Sequence, residues 1–373
     1  MFHFRILKSN NMKHVWIACL LISFQLQAQT ETSKKLLTST DLSVLASKAK
    51  ANQFSGTLLM VQGKDNGWSW SNGLAQEELK IANGDGVRYN LGSIGKSLTA
   101  VLIMQLVEQK KMVLDEPVKK YLPAGTLTTG SDAITIPHLL NNTSGLGDFF
   151  ESPDYSESKT ISIDDHMKLV NGMKPVSMEP GKSLHYSNSG FIVLGKLLEL
   201  HYGKPYQQIV KERLLQPVGI HYDAKKPIAT GYYVEKDSLK IGEGNDPSKW
   251  SSAGGLFLTV QELHLLIKGM MDGKLISKES LQRLWTKESR PEQEPPFVHY
   301  GLGWMLEDPN CIQLRGHNGG VKGFQAAFRY LPQEDTFIYF LSNRDGGIES
   351  IFMETIFLLM ERKGCKMEMP GNN

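Results

Sequence analysis

The sequence predicts an α+β fold: one sheet assembled from both ends of the chain, with a mostly helical domain inserted between them. Two observations carry this. Short apolar segments bounded by turn residues occur near the start and again near the end, and the long middle carries apolar residues at helical spacing. Strands at both ends of a chain, separated by helices, pair most simply in one sheet.

In chain order, residues 41–52 predict a helix, with Leu42, Leu45, Ala46 and Ala49 on one face. Residues 54–62 and 68–74 predict two strands joined by a turn containing Asn66-Gly67. Helices are expected over 93–110, 136–141, 163–173, 188–202, 206–215, 259–271 and 277–284, each bounded by proline, glycine or a capping residue. The polar, proline-rich residues 286–296 predict an exposed loop. Strands return over 300–306, 312–316, 323–330 and 336–342, and residues 348–362 close as a helix. The two end helices are expected on one face of the sheet. The domain reading is a discontinuous sheet domain over 29–88 and 290–362, a helical domain over 89–289 and a frayed tail over 363–373. The cleft between sheet and helical domain is the default site.

Composition narrows the function. The chain has 373 residues, 40% of them hydrophobic, ample for a large core. Lys13 and His14 precede an apolar run over 15–24 and then Ala28, a basic-apolar-small pattern that predicts an export signal over 1–28, with Met1 or Met12 as the start. The run is too short to span a membrane, which takes about 20 apolar residues. Too little apolar sequence precedes Cys19 for a lipoprotein site. Removing 1–28 with its Arg5, Lys8 and Lys13 takes the formal charge from +2 to −1, which leaves no electrostatic footprint for nucleic acid. Cys311 and Cys365 are widely spaced and predict no disulfide framework. No His-Glu-x-x-His or Cys-x-x-Cys occurs, so neither metal nor cofactor is expected.

Three motifs carry chemistry. Ser93-Ile94-Gly95-Lys96 places a hydroxyl and an amine one turn apart at a helix start. A serine is a weak nucleophile until a base takes its proton, and the amine can be that base. The same spacing recurs at Ser47–Lys50 and Ser156–Lys159, which read as solvated polar residues. Gly95-Lys96-Ser97 also matches the end of a phosphate loop, but that pattern needs glycine where the chain has Asn90. Tyr186-Ser187-Asn188 directly precedes a helix. His317-Asn318-Gly319 opens a glycine-rich turn over 316–323 before a strand. Singly, Tyr186 reads as a helix-start packing residue and His317 as a surface turn residue; His-x-Gly recurs at His201 and His299.

Taken in order, Ser-x-x-Lys, Tyr-x-Asn and His-x-Gly resemble the penicillin-recognising serine hydrolases: class C β-lactamases, D-stereospecific amino- and carboxypeptidases and related carboxylesterases. Further segments match in family order: Phe54-Ser55-Gly56-Thr57, the run from Leu139 to Leu146, Ser252-Ala253-Gly254-Gly255-Leu256, Tyr300-Gly301-Leu302-Gly303-Trp304 and Leu341-Ser342-Asn343-Arg344-Asp345. The resemblance implies a β-lactamase/transpeptidase-like fold with an antiparallel sheet. It also implies an exported serine hydrolase that cleaves an ester or amide bond through a Ser93 acyl-enzyme. In it Lys96 is the base, its pKa lowered by burial, and Tyr186 shares the proton. Asn188 orients the substrate amide or Lys96, and the backbone N–H groups of Ser93 and Gly320 form the oxyanion hole. Gly319 and Gly320 let a substrate backbone approach closely. The substrate is a small molecule or peptide.

Two departures from the family pattern stand out. Asn142 replaces a common histidine, with a local effect expected on hydrogen bonding. His317 replaces the lysine usual in β-lactamases and D-Ala-D-Ala peptidases. With an ordinary pKa near 6.5 a histidine supplies little charge at neutral pH, so the esterase and D-aminopeptidase branches are favoured unless Arg315 or Arg344 compensates. The alternatives are β-lactamase or D,D-carboxypeptidase activity, a slowly turning-over penicillin-binding or sensor module, and a scaffold with an idle cleft. The segments 148–178 and 286–299 are expected to shape the pocket.

Overall fold

The computed structural model describes residues 36–63, 66–156, 162–221, 223, 225–289, 295–309 and 311–365. The export signal over 1–28, Cys19, Lys159 and the tail beyond Cys365 lie outside these.

In chain order the elements are α1 (Ser39–Ala51), β1 (Gly56–Gln62), β2 (Asn66–Asn72), β3 (Leu74–Gln76), β4 (Ile81–Ala82), β5 (Tyr89–Asn90) and α2 (Gly95–Glu108). Then come α3 (Ile136–Leu140), α4 (Ile163–Gly172), α5 (Asn188–Tyr202), α6 (Tyr206–Val210), β6 (Tyr232–Glu235) and β7 (Ser238–Ile241). They are followed by β8 (Phe257–Leu258), α7 (Val260–Met271), α8 (Lys278–Leu284), β9 (Val298–Tyr300), β10 (Met305–Glu307), β11 (Leu314–Val321), β12 (Phe324–Leu331), β13 (Thr336–Ser342) and α9 (Ile348–Arg362).

The main sheet has seven antiparallel strands in the order β2-β1-β13-β12-β11-β10-β9. The α+β fold with an antiparallel sheet is therefore the one expected, and β1 and β13 join the two ends of the chain, with Leu58 opposite Phe340. β13 is buried along its whole length. Because side chains alternate across a strand, Ile338 and Phe340 join one core with Leu45, Ala49, Ile351 and Leu359 of α1 and α9. Phe337, Tyr339 and Leu341 join the other. There α7 packs on β13, with the His264 ring 5.1 Å from that of Phe337 and Nδ1 3.1 Å from the Tyr339 hydroxyl. One face of the sheet is thus closed by the two end helices, the other by helices from the middle of the chain. α2 is apolar nearly all round and correspondingly buried, from Lys96 to Leu106.

Several expectations need correction. The single strand expected over 300–306 is two strands, β9 and β10, because the chain turns at Gly303 (φ +75°) and Gly301 N–H donates to the Trp304 carbonyl at 2.8 Å. The glycine-rich turn expected over 316–323 is mostly strand: β11 runs through His317 to Val321, and only Lys322-Gly323 turns. Asn66-Gly67 opens β2 instead of forming the turn. The β6–β7 hairpin was not expected. Its turn residues Lys236 and Asp237 both have positive φ (49° and 60°), a primed turn without the glycine that normally signals one.

Cys311 and Cys365 form a disulfide, contrary to the sequence reading. Spacing along the chain says nothing about the distance in space, and the fold brings their Cα atoms to 6.3 Å by laying α9 back across the sheet. The bridge closes a long loop, so Cys365→Ser should lower stability by about 2–4 kcal/mol. Thermal melting of the two proteins, with and without reductant, checks this. An unchanged midpoint would show that packing of α9 alone holds the terminus.

Candidate active site

The site forms where three backbone segments meet with almost no space between them. Ser93 sits in a 3₁₀ turn (Gly92–Ile94) that leads into α2. Gly92 has φ +48°, and a Cβ there would lie 2.5 Å from the Gly320 nitrogen. A Cβ on Gly319 would lie 1.9 Å from the Leu91 carbonyl oxygen, and one on Gly254 2.3 Å from that of Gly92. Contact favours glycine at all three positions, and at Gly92 and Gly254 the positive φ does so as well. Asn90, the residue that excludes a phosphate loop, holds the turn: its Oδ1 accepts from Gly92 N–H at 2.8 Å, and its Nδ2 donates to the Gly244 carbonyl at 2.8 Å.

Lys96 lies one turn after Ser93 and is fully buried. Its Nζ reaches three oxygens: Ser93 Oγ at 2.9 Å, Asn188 Oδ1 at 2.6 Å and the Ala253 carbonyl at 2.8 Å. Burial pushes its pKa down to about 7, against a smaller upward pull from Asp148. An amide oxygen and a backbone carbonyl can only accept. A neutral amine that donates to both directs its lone pair at Ser93. The arrangement can therefore take the serine proton near neutral pH.

Tyr186 stands on the other side of Ser93, which hydrogen-bonds to its hydroxyl. One edge of the ring is open to the cleft (45% exposed), but the hydroxyl end is enclosed, and this burial raises the phenol above its ordinary pKa. Lys96 Nζ lies 4.9 Å from the ring centroid. The segment carrying Tyr186 is pinned on both sides by Asn142, whose carbonyl accepts from His185 N–H at 2.8 Å and whose Oδ1 accepts from Ser187 N–H at 3.2 Å. Asn142 adopts φ +59°, a conformation asparagine tolerates.

Asn188 at the start of α5 accepts from Lys96 through its Oδ1, the contact that the second of its two expected roles requires. Its Nδ2 donates to Asp148 Oδ2 at 2.7 Å. Asp148 is a site residue the motifs did not reveal: nothing in the sequence marks one aspartate after Gly147 as facing a helix forty residues on. The Ala253 carbonyl was also missed, although its segment was singled out.

His317 departs from expectation. It is buried at 2% exposure and does not line the cleft. Nδ1–H donates to the Asn318 carbonyl at 2.5 Å, and Nε2 accepts from the Tyr300 hydroxyl at 2.6 Å. Burial, assisted by the charges of Lys96 and Arg329, drives its pKa down to about 3, so the ring is neutral. Tyr300 in turn packs edge-on against Tyr186, ring centroids 6.4 Å apart. The third motif thus supports the wall behind Tyr186.

Gly320 does reach the cleft. Counting back from the Lys322-Gly323 turn, Val321 opposes Phe324 next to the turn, and Gly320 opposes Gln325 in the next, non-hydrogen-bonded pair. Its N–H is then directed away from β12, on the side where the turn carrying Ser93 packs against β11. The cleft holds about 400 Å³. Phe150, Tyr155 and Trp250 form an apolar wall, while Glu243, Lys249 and Lys322 bring charge to the rim. Arg315 and Arg344 do not line it; they pair with Asp308 and Glu77. Ser47 points from α1 with its hydroxyl bonded to the Ser43 carbonyl, far in kind from a nucleophile. Among the described residues no cluster could hold a metal ion, and no helix is long and apolar enough to cross a membrane.

A profile of the family described as Beta-lactamase matches residues 43–357. The chain belongs to the beta-lactamase family. It is a serine hydrolase of that family, and its relatives differ in what they act on. Penicillin-binding protein 4* of Bacillus subtilis is 28% identical over 80% of this chain and 70% of its own length. A teichoic acid D-alanine hydrolase of Staphylococcus aureus is 26% identical over 74% of this chain and 67% of its own. A penicillin-binding protein from Bacillus halodurans has the same fold, with TM-score 0.75 and 26% identity over 84% of this chain and 98% of its own.

The glycines give a discriminating test. Gly319→Ala should lower kcat at least about a hundredfold by displacing the Ser93 turn, as expected for the loss of one oxyanion donor. Gly320→Ala, whose Cβ would meet nothing nearer than 3.8 Å, should leave most activity. Equal losses in both would mean the strand does not set the position of Ser93.

Proposed function

We propose that Ser93 is the nucleophile of an acyl-transfer hydrolase acting on esters or amides. Neutral Lys96 accepts the Ser93 proton as Oγ attacks the carbonyl. The oxyanion is held by the N–H groups of Ser93 and Gly320, each worth about 10²–10³ in rate. Tyr186, kept protonated, passes a proton to the leaving group, and water resolves the acyl-enzyme by the reverse path. The observation that carries this reading is the Lys96 amine, buried, 2.9 Å from Ser93 Oγ and with its two other positions taken by permanent acceptors.

The substrate reading favours neutral esters or amides, or D-aminoacyl compounds, over β-lactams. Its original basis in the third motif is strengthened in one way: His317 is neutral and out of reach, so it offers no charge to a carboxylate. A relative that hydrolyses D-alanine from teichoic acid supports the same choice. A second reading, carboxylate-bearing β-lactams or D-Ala-D-Ala peptides, draws support from Lys249 and Lys322 at the rim.

One experiment covers both. A fluorophosphonate should label Ser93, and kcat/KM for a short p-nitrophenyl ester should exceed that for a chromogenic cephalosporin. The ester rate should rise with pH through about 7, because Lys96 takes the proton only when neutral and its neutral fraction grows as pH passes its pKa. Labelling elsewhere, or no rise near 7, refutes the mechanism. A faster cephalosporin, lost in Lys322→Ala, selects the second reading.

We also propose export. The leader pattern suggests it, and a disulfide between Cys311 and Cys365 fits an oxidising compartment. N-terminal sequencing of the protein from its native host should find a start near Gln29; an intact leader on cytoplasmic protein overturns this.

A further inference from the structure

Asp148 belongs to no motif, yet it is hydrogen-bonded to Asn188, which in turn holds the Lys96 amine. It caps the short turn after it, with Oδ1 accepting from Phe150 N–H at 3.1 Å. Its other oxygen, Oδ2, accepts from the Asn188 backbone N–H at 3.1 Å and from Asn188 Nδ2 at 2.7 Å. A carboxylate accepts and never donates. It therefore forces the amide of Asn188 into one orientation, NH₂ toward Asp148 and oxygen toward Lys96, and the oxygen meets Nζ at 2.6 Å.

We propose that Asp148 is a positioning residue for the reaction: through Asn188 it fixes where the Lys96 amine points, and its negative charge keeps that amine basic enough to hold a proton between steps. This rests on the reading of Lys96 as the base.

Among the described residues, the surroundings of Lys96 leave Asp148 alone in this role. From α5 and the segment before it come Asn188, Phe191 and Tyr186; Tyr186 is a phenol whose burial keeps it neutral. From β9 comes Tyr300, behind Tyr186 and likewise neutral. From β11 comes His317, neutral above about pH 3. The segment before β8 offers only the Ala253 carbonyl. Glu243, Lys249 and Lys322 lie on the rim of the cleft, in contact with solvent that screens them. Asp148 is the carboxylate whose field opposes the loss of basicity that burial imposes on Lys96.

The test is the pH dependence of fluorophosphonate labelling and of p-nitrophenyl ester kcat/KM in the full chain. Asp148→Asn and Asp148→Ser remove the charge, and both residues still cap the following turn. Both variants should move the acidic inflection to lower pH by about one unit and lower the plateau about tenfold, because the Asn188 amide is free to turn. Asp148→Glu keeps the charge and should keep the inflection near its wild-type pH. Asn188→Leu should lower the plateau without a comparable shift. An unmoved inflection in the folded charge-removing variants overturns the proposal. So does an Asp148→Glu inflection displaced as far as that of Asp148→Asn. Failure of both charge-removing variants to fold while Asp148→Glu folds would also overturn it, since the carboxylate would then serve the fold. An absent inflection in the wild type would instead refute Lys96 as the base.

Discussion

A primary amine buried from solvent is the constraint around which this molecule is arranged. An uncompensated buried charge is costly, so Lys96 must either find partners or lose its proton. The structure does some of both. Three oxygens surround Nζ, each delivered by a different part of the chain: Ser93 from the same helix turn, Asn188 from α5 and Ala253 from the segment before β8. Burial still lowers the pKa to about 7, the range in which an amine can both accept and return a proton at neutral pH. The Ser93 turn and the segment carrying Ala253 are held in direct contact through Gly92, Gly95 and Gly254.

The sheet contributes rigidity and one edge. β11 is paired with β12 along its length, but β10 is short and pairs only as far as Gly316. Beyond that point one edge of β11 is open, and there it passes the Ser93 turn. An open edge normally invites unwanted pairing; here it faces a cleft that can admit a substrate backbone. Gly320 lines that cleft, and Gly319 gives the close approach to the Ser93 turn that a Cβ would prevent.

The Tyr186–Tyr300–His317 group shows how a familiar motif position can change its work. A lysine there would place a cation at the cleft. The histidine turns inward, gives both ring nitrogens to neighbours and stays uncharged, so a hydrogen-bonded wall stands where a charge would be. Charge at the cleft then comes from the rim, from Lys249, Lys322 and Glu243.

The sequence by itself determined the α+β architecture, most of the helices and the residues that meet at the candidate site, because these rest on short-range relations. Helical periodicity places α5 and α9, and the three-residue spacing puts Ser93 and Lys96 on one face. Motif order then ties Tyr186 and Asn188 to the same centre. It misread what depends on three-dimensional neighbours. Glycine-rich residues 316–323 look like a turn until β12 pairs with them. Cys311 and Cys365 look unrelated until α9 folds back. His317 looks like a cleft residue until Tyr300 offers it a hydroxyl. Only the tertiary structure brought Asp148 to Asn188, because a carboxylate's partner is set by how two loops pack, and no local spacing encodes that.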